Sequence, residues 1–554
     1  MQVVIPMSGA GQRFQRSGYS VPKPLIEVEG KPIIAHVLDM FPGERNVVFI
    51  CNREHLEDER FRMREILQAH CPSGRIVAIE AHKLGPVHAF LQAKDVLDPD
   101  EPTVINYCDF TCYWDWRDFK KFVVETGCGG CIPSYRGFHP HMLHSTNFAY
   151  TQNTNLWATA IQEKKPYTED PSREFASSGT YYFRTGEMAI RYSQMCVEQS
   201  LALNGEYYVS LVYRPMFEAG ESVAVYELQH FMQWGTPEDL DEYLTYSRIF
   251  HALAEARPAT QVPAREGALI MPMAGAGQRF SDQGYPLPKP LLPVNGYPMV
   301  ARATLDLPAY QRQIFVLRED LPAIDTITAG LTASFPGGEH VMLQGLTDGQ
   351  ARTVMQAASR LSPDTPITIG ACDNGVIYDH QKAAALLDTA DVDVVVWAMR
   401  GHPGASKNPK MYGWIDAGAD GWVRSVSVKS PLADPKTDPA IVGVFSFRRA
   451  GDFTRAAERM IERNARINGE FYVDTAINDA LALGLRCKLF TVDHYVGWGT
   501  PADYESYRYW QSCFHKWASH PYRIDADPRI APESAGRLDA DARNWRAPRP
   551  GRKP

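Results

Sequence analysis

The sequence predicts an α/β protein of two similar, doubly wound halves in tandem. Near-continuous apolar runs at residues 46–50 and 392–397 are typical of strands in a sheet that is covered on both faces. Helical stretches alternate with such runs, which favours parallel strands joined by crossover helices. A segment at residues 7–33 returns at residues 273–299 with 16 of 27 positions identical. This repeat predicts that the second half folds like the first.

The predicted elements follow one order in both halves. Each half opens with a short apolar strand, at residues 3–7 and 268–273, that leads into a glycine-rich loop. A helix is predicted to begin shortly before His36 in the first half and Ala301 in the second. Later helices and strands alternate, with helical periodicity at residues 87–97 and 351–361 and a strand at residues 103–107.

Matching motifs keep the halves in register, 264 residues apart, beyond the opening repeat. GEYYV at residue 205 matches GEFYV at residue 469, and WGTP occurs at residues 234 and 498. The stretch between the halves and the end of the chain are rich in Pro and Arg and lack apolar periodicity, as exposed linkers and tails do. We predict a first domain over residues 1–250, a linker over 251–266, a second domain over 267–514 and a loosely ordered tail over 515–554.

Composition excludes several classes of partner. The net charge of -8 gives no long-range attraction to nucleic acid or to an anionic membrane. No apolar run reaches the 18 or so residues of a membrane span, so we expect no membrane partner and a cytoplasmic location. The ten cysteines include one CxxC at residues 128–131. Without a matching second CxxC, reduced thiols are favoured over a zinc site.

The glycine-rich loops carry the first functional signal. Backbone N–H groups at the end of a strand can bind an anion, and glycine lets that backbone approach it closely. A tight structural turn is the alternative. Cations at the same spacing in both halves favour a polyphosphate, since Arg can grip terminal phosphate oxygens and Lys supplies a point charge. The candidate catalytic cations are Arg13, Lys23, Arg279 and Lys289.

GAGQRF followed by PKPL and a glycine resembles the sugar-phosphate nucleotidyltransferases, the sugar-nucleotide pyrophosphorylase superfamily, in two tandem copies. The resemblance implies two Rossmann-like, three-layer α/β/α nucleotidyltransferase domains with mostly parallel, mixed sheets. The loop is neither a Walker loop nor a dinucleotide fingerprint, because GxxxxGK[ST] and the third glycine are both missing. The resemblance assigns nucleotide binding to Gly9, Ala10, Gly11, Gly85, Gly275, Ala276, Gly277 and Gly349.

The resemblance also implies a Mg²⁺ site in each half. In the family an aspartate at the end of a central strand binds the magnesium that bridges the nucleotide phosphates, and Asp109 and Asp373 stand at the matching places. Their role as mere helix caps is the alternative. The family's second metal carboxylate is replaced by Gln233 in the first half and by Gly497 in the second.

The acceptor side differs between the halves. By resemblance the first half keeps a Glu-Lys pair but has Ala149 in place of a glycine, whereas the second keeps a Tyr-Gly pair but has Val428 in place of the glutamate. These differences predict two different acceptors or one weakened site. The implied acceptor-binding residues are Glu163, Lys164, Glu206, Tyr412, Gly413, Lys429 and Glu470.

The implied reaction is nucleotidyl transfer from a nucleoside triphosphate to a sugar 1-phosphate, or a similar phosphorylated metabolite, with release of pyrophosphate. Nucleotide-sugar and surface-glycan precursor synthesis is the implied pathway. Two alternatives stay open: a GT-A-like glycosyltransferase, and one catalytic half beside a non-catalytic binding half. An oligomer is also open. The histidine-rich loop of His139, His141 and His144 is expected to be exposed to solvent rather than to bind metal.

Overall fold

The computed structural model describes residues 1–256, 263–275 and 277–545. Two large mixed sheets, one in each half of the chain, are covered by helices, so the predicted α/β fold is confirmed. Among the described residues, no helix combines the length and the apolar character needed to cross a membrane.

The first half contains strands and helices with the following bounds. The strands are β1 (Gln2–Met7), β2 (Glu27–Val28), β3 (Lys31–Pro32), β4 (Val47–Asn52), β5 (Arg75–Ile79), β6 (Thr103–Asn106), β7 (Phe110–Tyr113), β8 (Gly130–Tyr135), β9 (Ala149–Thr154), β10 (Trp157–Glu163), β11 (Phe175–Ser177), β12 (Thr180–Phe183), β13 (Val223–Glu227) and β14 (His230–Gln233). The helices are α1 (Gln12–Arg16), α2 (Ile33–Asp39), α3 (Arg53–Glu57), α4 (Met63–His70), α5 (Pro86–Gln92), α6 (Trp116–Thr126), α7 (Gly186–Glu198), α8 (Tyr213–Glu218) and α9 (Pro237–Glu255).

The second half contains a corresponding set. The strands are β15 (Arg265–Pro272), β16 (Pro293–Val294), β17 (Tyr297–Pro298), β18 (Tyr310–Arg318), β19 (Glu339–Leu343), β20 (Ile367–Ile369), β21 (Asn374–Ile377), β22 (Val394–Met399), β23 (Gly413–Ala417), β24 (Val423–Val428), β25 (Ala440–Phe447), β26 (Cys487–Thr491) and β27 (His494–Gly497). The helices are α10 (Gln278–Asp282), α11 (Met299–Leu305), α12 (Ile324–Ser334), α13 (Gln350–Ala358), α14 (His380–Asp388), α15 (Pro403–Lys407), α16 (Ala450–Glu462), α17 (Val473–Ala482), α18 (Pro501–Lys516) and α19 (Ala535–Arg543).

The two sheets share one strand order. The first runs β5-β4-β1-β6-β12-β8-β13, and the second runs β19-β18-β15-β20-β25-β22-β26. In each, four parallel strands meet one antiparallel strand, β12 or β25, after which a parallel pair follows. A two-stranded ribbon, β7 with β14 or β21 with β27, brings the WGTP motif beside the end of a central strand.

The long helices that follow the two WGTP motifs pack the halves together. On α9, Tyr246 stacks on Trp510 of α18 with ring centroids 5.9 Å apart, and Phe250 stacks on Tyr507 at 5.5 Å. The hydroxyl of Tyr509 donates to the carbonyl of Phe231 at 2.8 Å. One continuous apolar cluster therefore contains buried residues from both halves.

The prediction of a loosely ordered tail from residue 515 is wrong for the described residues 515–545. This segment forms three short helical elements, and Tyr522, Ile530 and Trp545 are buried. Tyr522 packs on Phe250 with ring centroids 4.6 Å apart. The predicted linker also begins too early, since α9 continues to Glu255. The Arg-rich end of the predicted tail, residues 546–554, lies outside the described residues.

The histidine-rich loop differs from its prediction at two of its three histidines. His139 and His141 are buried, because their rings pack against Tyr135 with centroids 4.5 and 5.2 Å away. Burial lowers the pKa of His139 to about 3, so this imidazole is neutral at physiological pH. His139 and His141 therefore belong to the apolar core, whereas His144 is exposed as predicted. All ten cysteines are free thiols, and Cys128 and Cys131 are buried.

Candidate active site

The glycine loops leave β1 and β15 at the edge of each sheet. Gly11 and Gly277 have left-handed backbones with φ of 64° and 63°, which favours glycine there. At Gly9 and Gly275, by contrast, φ is not positive and an added Cβ would meet no protein atom within 4 Å. Packing within the protein therefore does not explain glycine at these two positions, whereas close approach of a ligand would. Ala10 lies between the first pair of glycines, and Ala276 lies outside the described residues.

A lysine and an aspartate form an ion pair at the matching place in each half. Lys23 begins a short 3-10 turn after the glycine loop, and its Nζ lies 2.7 Å from Oδ2 of Asp109. Lys289 lies 2.5 Å from Oδ2 of Asp373 and also donates to the carbonyl of Gly499 at 3.0 Å. Residues separated by more than eighty positions thus meet at one sheet edge in both copies.

The ion pair keeps both lysines charged. Burial, the largest influence, lowers the pKa of Lys23, but the nearby Asp109 carboxylate outweighs it and the pKa is raised overall. The same balance, with Asp373 as the partner, raises the pKa of Lys289. Each site therefore holds a partly buried cation in a fixed place.

The WGTP motif fixes the aspartate from behind. The backbone N–H of Trp234 donates to the carbonyl of Asp109 at 3.0 Å, and Trp498 does the same for Asp373 at 2.9 Å. The glycine of each motif leaves room for the carboxylate, because an added Cβ at Gly235 would lie 3.2 Å from Oδ2 of Asp109. The motif therefore positions Asp109 and Asp373 through their backbone.

The two candidate arginines lie beside the loops. Arg13 on α1 and Arg279 on α10 are exposed, and among the described residues neither forms an ion pair. Each stands on the helical turn that follows a left-handed glycine. Their guanidinium groups are therefore available to an anionic ligand.

The second predicted nucleotide loop packs against the GE motif. Gly85 has φ of 88°, and an added Cβ would lie 2.7 Å from the backbone nitrogen of Tyr207. Gly349 has φ of 134° and stands in the same way against Phe471, 2.3 Å from its nitrogen. Backbone hydrogen bonds tie the segments together, such as that from Tyr207 N–H to the carbonyl of Leu84 at 2.9 Å. Only glycine fits these contacts.

On the acceptor side, a tyrosine connects the predicted lysine and glutamate. In the first half Lys164 donates to the hydroxyl of Tyr208 at 2.5 Å, and Tyr208 donates to Glu206. In the second half Lys429 donates to Tyr472 at 2.8 Å, and Tyr472 bonds to Glu470. Neither tyrosine is among the residues predicted from the sequence, although each stands two residues after the GE glutamate of its half.

The two lysines share an uncommon backbone conformation. Lys164 and Lys429 both have φ of 57°, in the left-handed region that non-glycine residues rarely adopt. Their N–H groups donate to the carbonyls of Phe148 and Tyr412, each at 2.9 Å. Tyr412 and Gly413 thus lie beside Lys429. The hydrogen bonds to Tyr208 and Tyr472 hold the two lysine side chains in place.

The residues present fit a divalent cation. Carboxylate oxygens are the ligands that hard cations prefer, and one carboxylate completed by phosphate oxygens and water is a common way to bind Mg²⁺. The side chains of Asp109 and Asp373 are 24% and 31% exposed at the sheet edge. In the first half the Gln233 amide and the Asp109 carboxylate both lie beside Gly235. Asp109 and Asp373 could therefore hold a cation that arrives with a polyphosphate.

Part of the first half is similar to a family of NTP transferases. Residues 3–165 match the family model described as MobA-like NTP transferase domain. The matched part contains the glycine loop, Lys23, Asp109 and Lys164 of the first half. Residues 3–165 are therefore similar to an NTP transferase domain, which agrees with the predicted nucleotidyltransferase superfamily over this part of the first half.

Curated relatives include several proteins named Bifunctional protein GlmU. The one from Enterococcus faecalis is 21% identical over 248 residues, which are 45% of this chain and 51% of that protein. The one from Cupriavidus taiwanensis is 34% identical over 112 residues, 20% of this chain and 22% of that protein. The chain spans about half the length of these relatives or less. Among solved structures, the nucleoside-diphosphate-sugar pyrophosphorylase from Vibrio cholerae RC9 aligns with a TM-score of 0.35 and 20% identity over 43% of this chain and 98% of that one.

Proposed function

We propose that the protein transfers a nucleotidyl group from a nucleoside triphosphate to a sugar 1-phosphate, or a similar phosphorylated metabolite, and releases pyrophosphate. The proposal rests on three groups of residues that occur in both halves. They are an open glycine loop, a Lys–Asp ion pair and a hydrogen-bonded Lys–Tyr–Glu chain. A polyphosphate suits the first two parts, and a phosphorylated polyol suits the third.

The reaction needs alignment and charge neutralisation rather than a covalent intermediate. A phosphate oxygen of the acceptor attacks the α-phosphorus of the triphosphate. The bond between that phosphorus and the α,β-bridging oxygen breaks, and pyrophosphate leaves with the bond's electron pair. The acceptor phosphate is already ionised, so no side chain has to remove a proton.

Each cation has a proposed role in this step. The glycine loop and Arg13 hold the pyrophosphate that leaves, and Lys23 offsets charge that develops at the α-phosphorus. Lys164, oriented by Tyr208, binds the acceptor phosphate. Arg279, Lys289 and Lys429 repeat these roles in the second half.

NTP transferases generally use a divalent metal, and we propose that Asp109 and Asp373 hold Mg²⁺ here. When bound, Mg²⁺ neutralises phosphate charge that the protein's own cations leave uncovered. The predicted domains at residues 1–250 and 267–514 are then two transferase units. The substrates point to nucleotide-sugar and surface-glycan precursor synthesis in the cytoplasm, where reduced cysteines are stable.

Pyrophosphate release by the full-length chain tests the function. The substrates are magnesium triphosphates of the four bases with a panel of sugar 1-phosphates. Loss of one preorganised electrostatic contact costs about two to three powers of ten in rate, so Lys23→Ala and Lys289→Ala should each abolish the activity of one half. The exposed Lys121→Ala and Lys382→Ala serve as controls. Full turnover in the double variant would refute the assignment, and release of nucleoside diphosphate from a sugar nucleotide would favour the glycosyltransferase alternative.

A further inference from the structure

The two halves carry an acceptor-side carboxylate on different elements. In the first half Glu163 stands at the end of β10, opposite Ala149 on β9. The hydroxyl of Ser210 donates to the Glu163 carboxylate at 2.6 Å. In the second half the position that pairs with Gly413 of β23 is Val428, which has no charge. By strand register alone, the second half has lost this carboxylate.

The second half has a carboxylate on a helix instead of on a strand. The residue 264 positions after Ser210 is Asp474, in the first turn of α17. In the first half Glu163 pairs with Ala149, and in the second half Oδ2 of Asp474 lies beside Gly413, the counterpart of Ala149. Each carboxylate is therefore found next to the same position of the fold.

Gly413 makes room for the Asp474 carboxylate. An added Cβ at Gly413 would lie 2.3 Å from Oδ2 of Asp474, closer than any real contact. In the first half the corresponding residue is Ala149, which is tolerated because Ser210 is shorter than an aspartate. The two halves therefore differ at three neighbouring positions in a coupled way. Glu163, Ser210 and Ala149 of the first half correspond to Val428, Asp474 and Gly413 of the second.

The surroundings of Asp474 suit a binding carboxylate. Partial burial raises the pKa of Asp474 to about 6, while its own backbone N–H and nearby Lys429 oppose a larger rise. The group is thus mainly ionised at neutral pH. Its place at the start of a ten-residue helix also favours the anion.

We propose that Asp474 is the acceptor-binding carboxylate of the second site and takes the place that Glu163 has in the first. This inference rests on the proposed function and concerns the substrate class of the second half. Each site then contains one lysine and two carboxylates: Lys164 with Glu163 and Glu206, and Lys429 with Asp474 and Glu470.

This inventory matches a polyhydroxylated phosphate. Lysine binds the phosphate, and carboxylates accept hydrogen bonds from hydroxyl groups. Asp474 reaches the site from α17 rather than from a strand, but it supplies the same kind of acceptor group as Glu163 does. The second half therefore has the side chains of a sugar-phosphate site.

The test uses the full-length chain with Lys23→Ala, so that the measured pyrophosphate release comes from the second site. The acceptor is the sugar 1-phosphate with the highest pyrophosphate release in this parent. Asp474→Asn should raise the acceptor KM by about tenfold or more, the effect of one charged hydrogen bond, and leave the triphosphate KM unchanged. Gly413→Ala should do the same, since its Cβ displaces the carboxylate. Asp416→Asn, whose partner Arg424 lies on the surface, is the matched control.

Rebuilding the first-half arrangement should restore binding. Asp474→Ser combined with Val428→Glu is expected to bring the acceptor KM to within about threefold of the parent, a difference worth less than 1 kcal/mol. Adding Gly413→Ala to this pair should then be harmless, as Ala149 is in the first half. Thermal melts of all variants separate a lost carboxylate from a lost fold.

The outcomes distinguish the inference from the function. An active parent whose acceptor KM does not change with Asp474→Asn and Gly413→Ala overturns the role of Asp474 alone. A rise in both KM values, or a folded Asp474→Ser, Val428→Glu chain without rescue, overturns it as well. A parent without pyrophosphate release for any acceptor overturns the transferase assignment of the second half together with the inference.

Discussion

The ammonium group of Lys23 lies 2.7 Å from the carboxylate of Asp109, and burial and this carboxylate act on the lysine in opposite directions. The aspartate therefore does more than offer oxygens to a cation. It keeps a partly buried lysine charged at a place where a polyphosphate would need positive charge. The pair of Lys289 with Asp373 shows the same relationship in the second half.

Replacement of Asp109 should change the pH dependence of triphosphate binding. In Asp109→Asn the pKa of Lys23 falls, because burial is no longer opposed by the carboxylate. In a Lys289→Ala background and without added metal, so that loss of a metal ligand does not contribute, binding of the triphosphate should then decline at a lower pH on the alkaline side than it does with Asp109 intact. Titration calorimetry across pH measures this. Substitution of the exposed Asp100, Asp100→Asn, is the control. If triphosphate binding declines at the same alkaline pH with and without Asp109, the proposed role of the ion pair is wrong.

Two glycine variants should separate ligand binding from folding. An added Cβ at Gly9 meets no protein atom, so Gly9→Ala should leave the melting temperature unchanged and raise the triphosphate KM of the first site by at least about tenfold. Gly85→Ala places a Cβ 2.7 Å from a backbone nitrogen at φ of 88°, and should cost about 1–3 kcal/mol of stability. The reverse pattern in kinetics and melts would show that Gly9 is a structural turn.

Glu29 should stabilise the protein only above acidic pH. Its carboxylate accepts hydrogen bonds from Tyr243 at 2.8 Å, from His251 at 2.7 Å and from Ser247. Burial alone would raise the pKa of Glu29, but these three donors outweigh it and the pKa is lowered. A lowered folded-state pKa gives stability that is present above the unfolded value of 4.5 and is lost as the pH falls through the folded value.

The Glu29→Gln variant measures that contribution. At pH 7 it should lose about 1.5–3 kcal/mol of unfolding free energy, the range for a hydrogen bond to a charged group. Its stability should also change less than that of the unmodified protein between pH 6 and pH 3. Urea unfolding at several pH values provides both quantities. Exposed Glu57→Gln should show neither effect, and equal acid sensitivity with and without Glu29 would contradict the assignment.

Tyr509 should couple the stability of the two halves. Its hydroxyl donates to the Phe231 carbonyl at 2.8 Å and accepts from the Phe231 N–H at 2.9 Å, both buried. Tyr509→Phe leaves these backbone groups without a partner and should cost about 1–3 kcal/mol. Tyr113→Phe keeps the ring over which Lys516 lies and is the control. Denaturant titrations of Tyr509→Phe should be followed by the activity of each half separately. Both activities should be lost at a lower denaturant concentration than in the unmodified protein.

Much of the fold and part of the site can be read from the sequence. The repeat predicts that both halves share one strand order. Lys23 and Asp109 are both predicted for the phosphate-binding end, because strand ends and strand-following loops gather at one sheet edge, but their ion pair is seen only in the structure. Tyr208 is missed, since an aromatic residue beside a GE motif is equally typical of a core. The link to Lys164 appears only when β10 and the GE segment are placed together.

The tail shows where sequence periodicity fails. Tyr522, Ile530 and Trp545 are spaced irregularly, because they stand on short turns rather than on one helix. Their burial depends on surfaces far away in the chain, such as Phe250 and His230. The burial of His139 has the same origin, since Tyr509 from the other half packs on it with ring centroids 5.2 Å apart. No local pattern encodes such contacts.

The apolar cluster that joins the halves has a consequence for each half on its own. A chain that loses either copy would leave Tyr246, Phe250, Tyr507 and Trp510 facing water, and exposed aromatic patches of this kind promote aggregation. The cluster therefore ties the two copies into one folding unit, and neither half is expected to be stable and soluble when it is made alone.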